Sequence, residues 1–243
     1  MLPLGLYIMG EAPAELIEPC GDYADWFQAL AEASGASLLL RDGRRGETID
    51  SRDVAAIVIT GSAASLVTPE PWMDQGLELL EQAQRVGTPT LGVCFGHQLI
   101  GAYAGASVIA NPEGWEFATQ SIDVLAPEDP LFRGVPPRFD ANQAHQDIID
   151  PLTLPAQASI LAGNAKTRIQ ALAMGDSRRG VQFHPEFSGE VTRRYVDVRW
   201  SLLAEDADAR SAPEDHPSAL AAEDCSEATR VFGNFVRYFA HKA

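Results

Sequence analysis

Short apolar runs alternate with amphipathic stretches through residues 1–100, the pattern of βαβ units wound on a parallel sheet. Leu4 to Met9 is apolar and predicts a buried first strand. The stretch Asp22-Tyr23-Ala24-Asp25-Trp26-Phe27-Gln28-Ala29-Leu30 opens a helix with an acidic first turn, and Gly35 suits its end. Ser37 to Leu40 follows as a second strand. Val54 to Thr60 is an unbroken hydrophobic run, as expected for a strand covered on both faces, and Gly61-Ser62 ends it sharply. Within Pro71 to Val86, Trp72, Met73, Leu77 and Leu80 recur at helical spacing, and Gly87 closes that helix. Thr88 to Val93 is the next short strand, with Cys94 directly after it. These elements predict the α/β class: an open, mostly parallel sheet flanked by helices.

From Ser107 to about Ile160 prolines are frequent and the helical period disappears, which predicts a small additional β region with loops laid over the sheet. Ile169 to Met174 and Gly180 to Phe183 read as strands joined by a turn at Gly175-Asp176-Ser177-Arg178. Glu190 to about Ala204 predicts a helix, and Glu223 to Phe239 another, with Phe232, Phe235, Val236 and Phe239 on one face. The acidic, proline-containing segment between them, residues 205–222, predicts a solvated surface loop. No repeat and no convincing linker divides the chain, so residues 1–243 are expected to form a single domain.

Charge narrows the partners. Asp and Glu number 34 against 18 Lys and Arg, a net charge of −16. Such a surface repels phosphate backbones and anionic lipid, so neither nucleic acid nor a membrane is expected as a partner; small neutral or zwitterionic ligands fit better. Cys20, Cys94 and Cys225 are widely spaced without a C-x-x-C pair, which fits neither a disulfide framework nor a zinc cluster and predicts a reducing, cytoplasmic setting. The apolar N-terminal stretch lacks a basic lead and runs into Glu11 and Glu15, so it reads as neither signal peptide nor membrane span. No metal or cofactor is expected.

The segment Leu91-Gly92-Val93-Cys94-Phe95-Gly96-His97-Gln98 changes the picture most. A nucleophile flanked by glycines as G-x-C-x-G, where a strand hands over to a helix, has the form of a nucleophile elbow. The turn places the cysteine at a helix N-terminus, where dipole and free amides favour the reactive thiolate. A small buried hydrophobe is the plainer use of an unpaired cysteine, and the elbow alone does not decide between them. Acyl transfer from a thiolate needs a general base with an orienting partner, and Val181-Gln182-Phe183-His184-Pro185-Glu186 offers both just after a predicted strand. H-P-E is by itself a weak match. His97 beside the elbow reads as packing or pocket wall, and His145 with Asp147 as a substrate-loop candidate.

Together these residues resemble the class I, or triad, glutamine amidotransferases, in the branch similar to the amidotransferase domain of GMP synthase. Three motifs in the family's order carry the likeness: Thr60-Gly61-Ser62-Ala63-Ala64-Ser65 with Pro71-Trp72 after it, Gly92-Val93-Cys94-Phe95-Gly96-His97-Gln98, and Gly180-Val181-Gln182-Phe183-His184-Pro185-Glu186. Gly114-Trp115-Glu116 resembles the family's G-x-x-E segment. The resemblance implies a flavodoxin-like fold, with Cys94 as nucleophile, His184 as base and Glu186 as third member. It implies hydrolysis of the glutamine side-chain amide through a γ-glutamyl thioester on Cys94. The oxyanion would be held by the N–H of Phe95 and one from Gly61-Ser62, with Gln98 in the substrate pocket and the segment around His145 at the substrate's amino-acid end. The chain has Gly61-Ser62-Ala63 where many members have a double glycine and proline.

Such an enzyme takes L-glutamine or another γ-glutamyl compound, and passes ammonia to a synthetase. No G-x-x-x-x-G-K-[ST] signature is present, so the acceptor chemistry is expected from a separate synthetase subunit, or the chain acts alone as a γ-glutamyl hydrolase. A catalytically silent binding or regulatory relative would have lost a triad member, and none is lost. A thiol stress protein of similar form lacks the carboxylate-backed histidine. An α/β-hydrolase is disfavoured because Glu186 follows His184 in the chain.

Overall fold

In a computed structural model residues 2–205 and 222–240 are described; residues 206–221, which hold the expected acidic loop, lie outside them. The strands are β1 (Leu4–Ile8), β2 (Leu38–Asp42), β3 (Ala56–Ile59), β4 (Thr90–Val93), β5 (Val108–Ala110), β6 (Glu116–Val124), β7 (Arg138–His145), β8 (Asp147–Ile149), β9 (Ala158–Gly163), β10 (Ala171–Met174) and β11 (Arg178–Val181). The helices are α1 (Ala14–Cys20), α2 (Tyr23–Ala33), α3 (Asp74–Val86), α4 (Phe95–Tyr103), α5 (Gly189–Glu205) and α6 (Ser226–Tyr238). Nine strands form one sheet in the order β2-β1-β3-β4-β11-β10-β9-β6-β7. The first five run parallel, and from β10 outward each pairing is antiparallel.

The unbroken hydrophobicity of β3 has a direct structural reason. Ala56 and Val58 join a core with Tyr23 and Phe27 of α2 and Phe232 and Phe235 of α6. Ile57 and Ile59 join a second core on the other face with Leu79 and Leu80 of α3 and Leu99 of α4. A strand covered on both faces has no solvent side on which a polar residue is tolerated. α2 starts on a capping box in which Asp22 accepts from the Asp25 backbone and Asp25 accepts from that of Asp22. Gly87, in the left-handed conformation with φ 85°, ends α3.

The structure alters the expected layout in two places. The middle of the chain does not lie over the sheet: β6, β7 and β9 extend it edgewise, and β5 and β8 form a separate two-stranded ladder. Local pattern cannot tell a strand added to a sheet edge from one packed across its face. α1 was not expected, because its start has no side-chain cap, Pro19 lies inside it and Leu16 alone is buried. No helix among the described residues is long and apolar enough to cross a membrane.

Candidate active site

Three adjacent parallel strands, β3, β4 and β11, end at one edge of the sheet. Their carboxyl ends deliver Gly61-Ser62, Cys94 and His184 to neighbouring positions, the usual place for a ligand on an open α/β sheet. Cys94 occupies the turn between β4 and α4 with φ 51° and ψ −102°, outside the regions that residues with a Cβ favour. Holding a cysteine there costs on the order of 1–3 kcal/mol, and such strain concentrates at functional sites. The flanking glycines make the turn fit: a Cβ on Gly92 would stand 2.2 Å from Gly96 O, and one on Gly96 would stand 2.4 Å from Ile59 O. Cys94 N donates to Val181 O at 2.9 Å, and Gly96 N to Thr60 O at 3.2 Å, so the turn is sewn to both neighbouring strands. Phe95 is the first residue of α4, and its N–H therefore has no acceptor within the helix.

His184 lies just past β11, fixed by its own N–H donating to Asn142 O on β7 at 2.9 Å. Its Nδ1 is 2.7 Å from Glu186 Oε1, and both side chains are buried. A carboxylate only accepts, so Nδ1 carries the proton and Nε2 is the free position. The ring stacks on Phe187 with centroids 4.0 Å apart and planes 10° from parallel. Burial opposes charge on this imidazole, but the Glu186 carboxylate and Cys94 beside it win and hold its pKa well above the ordinary value. Gly61 closes the other side: a Cβ there would be 3.0 Å from His184 Cε1. Cys94, His184, Glu186 and Gly61 thus stand together at this edge of the sheet.

A cavity of ≈ 250 Å³ opens over Cys94, bounded by Ser62, Gln98, His145 and Asp147. Gln98 reaches it from α4, but its amide is committed to the wall: Nε2 donates to Asp147 O at 2.8 Å and to Gln182 Oε1 at 3.2 Å. His145 is likewise turned into the wall, with Nδ1 3.2 Å from Asp147 O and Nε2 3.4 Å from Glu116 Oε2. Asn164 and Gln170 donate to the same Glu116 carboxylate at 2.6 and 3.0 Å. Burial opposes ionisation, but His145, Thr167 and Asn164 keep the Glu116 pKa below its ordinary value. His97 lies under α4 against Gly180 and outside the cavity, where burial pushes its pKa down to about 3. No cluster of three metal-ligating side chains is found among the described residues.

Residues 28–197, well over half of the chain, match the family model for glutamine amidotransferase class-I. The chain belongs to that family. It is similar to a glutamine-hydrolyzing GMP synthase subunit of Methanothermobacter thermautotrophicus, 32% identical over 58% of this chain and 69% of the relative. It is also similar to gamma-glutamyl peptidase 5 of Arabidopsis thaliana, 27% identical over 66% of this chain and 67% of the relative. In fold it is similar to the crystal structure of a glutamine amidotransferase from Thermotoga maritima, with a TM-score of 0.76 at 19% identity over the whole of both chains.

Around the site of this class-I amidotransferase, Asp147 and Trp115 lie in segments that the sequence marks for chemistry, whereas Tyr23, Tyr195 and Arg199 lie in none of them. Asp147 reaches the cavity from β8; its carboxylate accepts from Ser65 Oγ, and burial raises its pKa. Tyr23 is buried beside Gly61, and burial, with Tyr195, Cys94 and Glu186 nearby, raises its phenol pKa well above the ordinary value. Trp115 stacks on Phe117 at 4.7 Å and walls the cavity. Tyr195 and Arg199 enter from α5. Only the i,i+4 spacing of that last pair was visible in advance, since one helix face then presents both.

Proposed function

We propose that the chain hydrolyses the side-chain amide of glutamine through a γ-glutamyl thioester on Cys94. The observation that carries this reading is the strained cysteine at the elbow beside a buried imidazole whose Nδ1 is held by Glu186. His184 takes the thiol proton, and sulfur adds to the amide carbonyl carbon. The oxyanion receives the N–H of Phe95 and one from Gly61-Ser62, each donor lowering the barrier by about 3 kcal/mol. His184 then protonates the departing nitrogen, the C–N bond breaks and ammonia leaves. Water, losing its proton to His184, adds to the thioester; the C–S bond breaks and glutamate is released. Glu186 keeps Nδ1 protonated throughout, so that the ring exchanges protons only through Nε2. The similarity to a component of a GMP synthase supports an ammonia acceptor on a separate synthetase subunit.

A second reading, hydrolysis of larger γ-glutamyl amides or peptides by the same residues, is favoured by a groove of ≈ 630 Å³ that shares Ala63 and Arg199 with the thiol cavity. The similarity to a plant gamma-glutamyl peptidase points the same way. The test is release of ammonia and glutamate from glutamine, and of the amine from γ-glutamyl peptides. Cys94→Ala is expected to abolish both while leaving the thermal unfolding profile intact. No turnover of any such substrate, together with Cys94 alkylated no faster than Cys20 or Cys225, would sink the reading.

A further inference from the structure

Arg199 is the one arginine that borders the cavity over Cys94 among the described residues. It is half-buried, forms no ion pair among the described residues, and its Nε has no hydrogen-bond partner there. Taking an arginine partly out of water without a counter-charge is unfavourable, so a site that does so is arranged to receive an anion. The same cavity is lined by Asp147, a carboxylate whose described side-chain partner is the neutral Ser65 hydroxyl. The lining therefore carries one positive and one negative side chain together with the thiol. A ligand that satisfies both is a zwitterion, and the α-amino acid end of a γ-glutamyl group is one.

The guanidinium is aimed from a rigid support. Arg199 Cζ lies 5.6 Å from the ring centroid of Tyr195, one turn earlier on α5, and Nη2 is 3.5 Å from its hydroxyl. Tyr195 packs on Phe187 at 5.5 Å, and Phe187 is the ring on which His184 stacks. The charge that would read the substrate's far end is thus tied, through two aromatic side chains, to the base that would act at its near end.

Resting on the proposed function, we infer that Arg199 is a specificity-determining residue that binds the α-carboxylate of the γ-glutamyl substrate in the cavity that Asp147 also lines. Two probes separate charge recognition from pocket shape. One is a glutamine analogue whose side-chain amide is replaced by a chloromethyl ketone; the Cys94 thiolate displaces chloride, and intact-protein mass reports the rate. The other is the α-carboxamide of the same compound, equal in shape but without the carboxylate. Arg199→Gln is expected to slow labelling by the acid about 10- to 100-fold, as loss of a charge-assisted hydrogen bond implies. It should change labelling by the carboxamide less than about 3-fold and leave the iodoacetamide rate at Cys94 unaltered. Arg199→Lys, which keeps the charge but not the fork, should fall between.

Equal slowing with both probes in Arg199→Gln would mean that Arg199 only shapes the pocket, and no slowing with either would mean that it faces solvent; each result overturns the inference while leaving the enzyme reading untouched. Should neither ketone label wild-type Cys94 faster than Cys20 or Cys225, the proposed function itself fails, and the inference with it.

Discussion

Two buried imidazole–carboxylate pairs lie at this site, and they are built for different ends. His184 and Glu186 are two residues apart in one loop, meet at 2.7 Å, and leave the second ring nitrogen on the side of Cys94. His145 and Glu116 come from opposite strands of the β6–β7 ladder, where they are direct partners, and meet at 3.4 Å. The other nitrogen of His145 faces the Asp147 carbonyl, an acceptor. A neutral imidazole has a single N–H, so this ring can donate to only one of the two acceptors, and its Nε2 makes no well-formed hydrogen bond among the described residues. The two pairs differ in how closely the carboxylate meets the ring and in what faces the second nitrogen, Cys94 for His184 and a backbone carbonyl for His145.

The contrast is open to the hardest blow at Glu186. Glu186→Gln is expected to lower kcat by about 10²- to 10⁴-fold with little change in KM, because the ring loses the group that fixes its tautomer. The same variant should reveal the charge balance. Since Glu186 raises the folded pKa of His184, its contribution to stability is present below the unfolded imidazole pKa of about 6.5 and is lost as pH rises through the higher folded value. The gap in chemical-denaturation stability between wild type and Glu186→Gln should therefore narrow toward high pH. A gap that widens there would reverse the assignment.

The parallel half of the molecule and the β10–β11 hairpin could be read in the sequence, but the pairing of β6, β7 and β9 could not. β1, β3 and β4 are apolar on both faces, and Gly61, Cys94 and His184 follow directly on strand ends, so local pattern and chemistry coincide. The β6–β7 wing pairs residues far apart in the chain, such as Glu116 with His145, and nothing in either segment announces the other. Arg199 and Tyr23 escaped for the same reason: a helix face meets the site only once α5 and α2 are packed, Arg199 at the cavity and Tyr23 beside Gly61. His97 reads as packing or pocket wall in the sequence, and burial in the first turn of α4, outside the cavity, decides for packing.

Glu116 should answer to substitution quite differently from Glu186. Its carboxylate collects Asn164, Gln170 and His145, and an amide in its place turns a donor toward one of them. Glu116→Gln is expected to cost about 1–3 kcal/mol of stability in thermal or urea unfolding. Because His145 and Gln98 together clamp the Asp147 backbone, its kinetic effect should fall on KM for glutamine, roughly threefold to tenfold, with kcat nearly preserved. A kcat loss comparable to that of Glu186→Gln would place both pairs in the chemistry and dissolve the contrast.

His97 completes the comparison as a buried imidazole with no carboxylate at all. Neither of its ring nitrogens makes a well-formed hydrogen bond among the described residues, and burial lowers its pKa to about 3. The sign is opposite to that of His184: the folded ring stays neutral while the unfolded one takes up a proton below about pH 6.5. The unfolded state then binds more protons, and stability falls with acidification by up to about 1.4 kcal/mol per pH unit between those values. Replacing His97 with Gln, which cannot titrate, should flatten that part of the stability profile in urea titrations run across mildly acidic pH, even though it lowers stability at neutrality by disturbing the packing against Gly180. An unchanged slope would mean that the acid lability comes from the carboxylates instead, and that His97 gains its proton only after the sheet has opened.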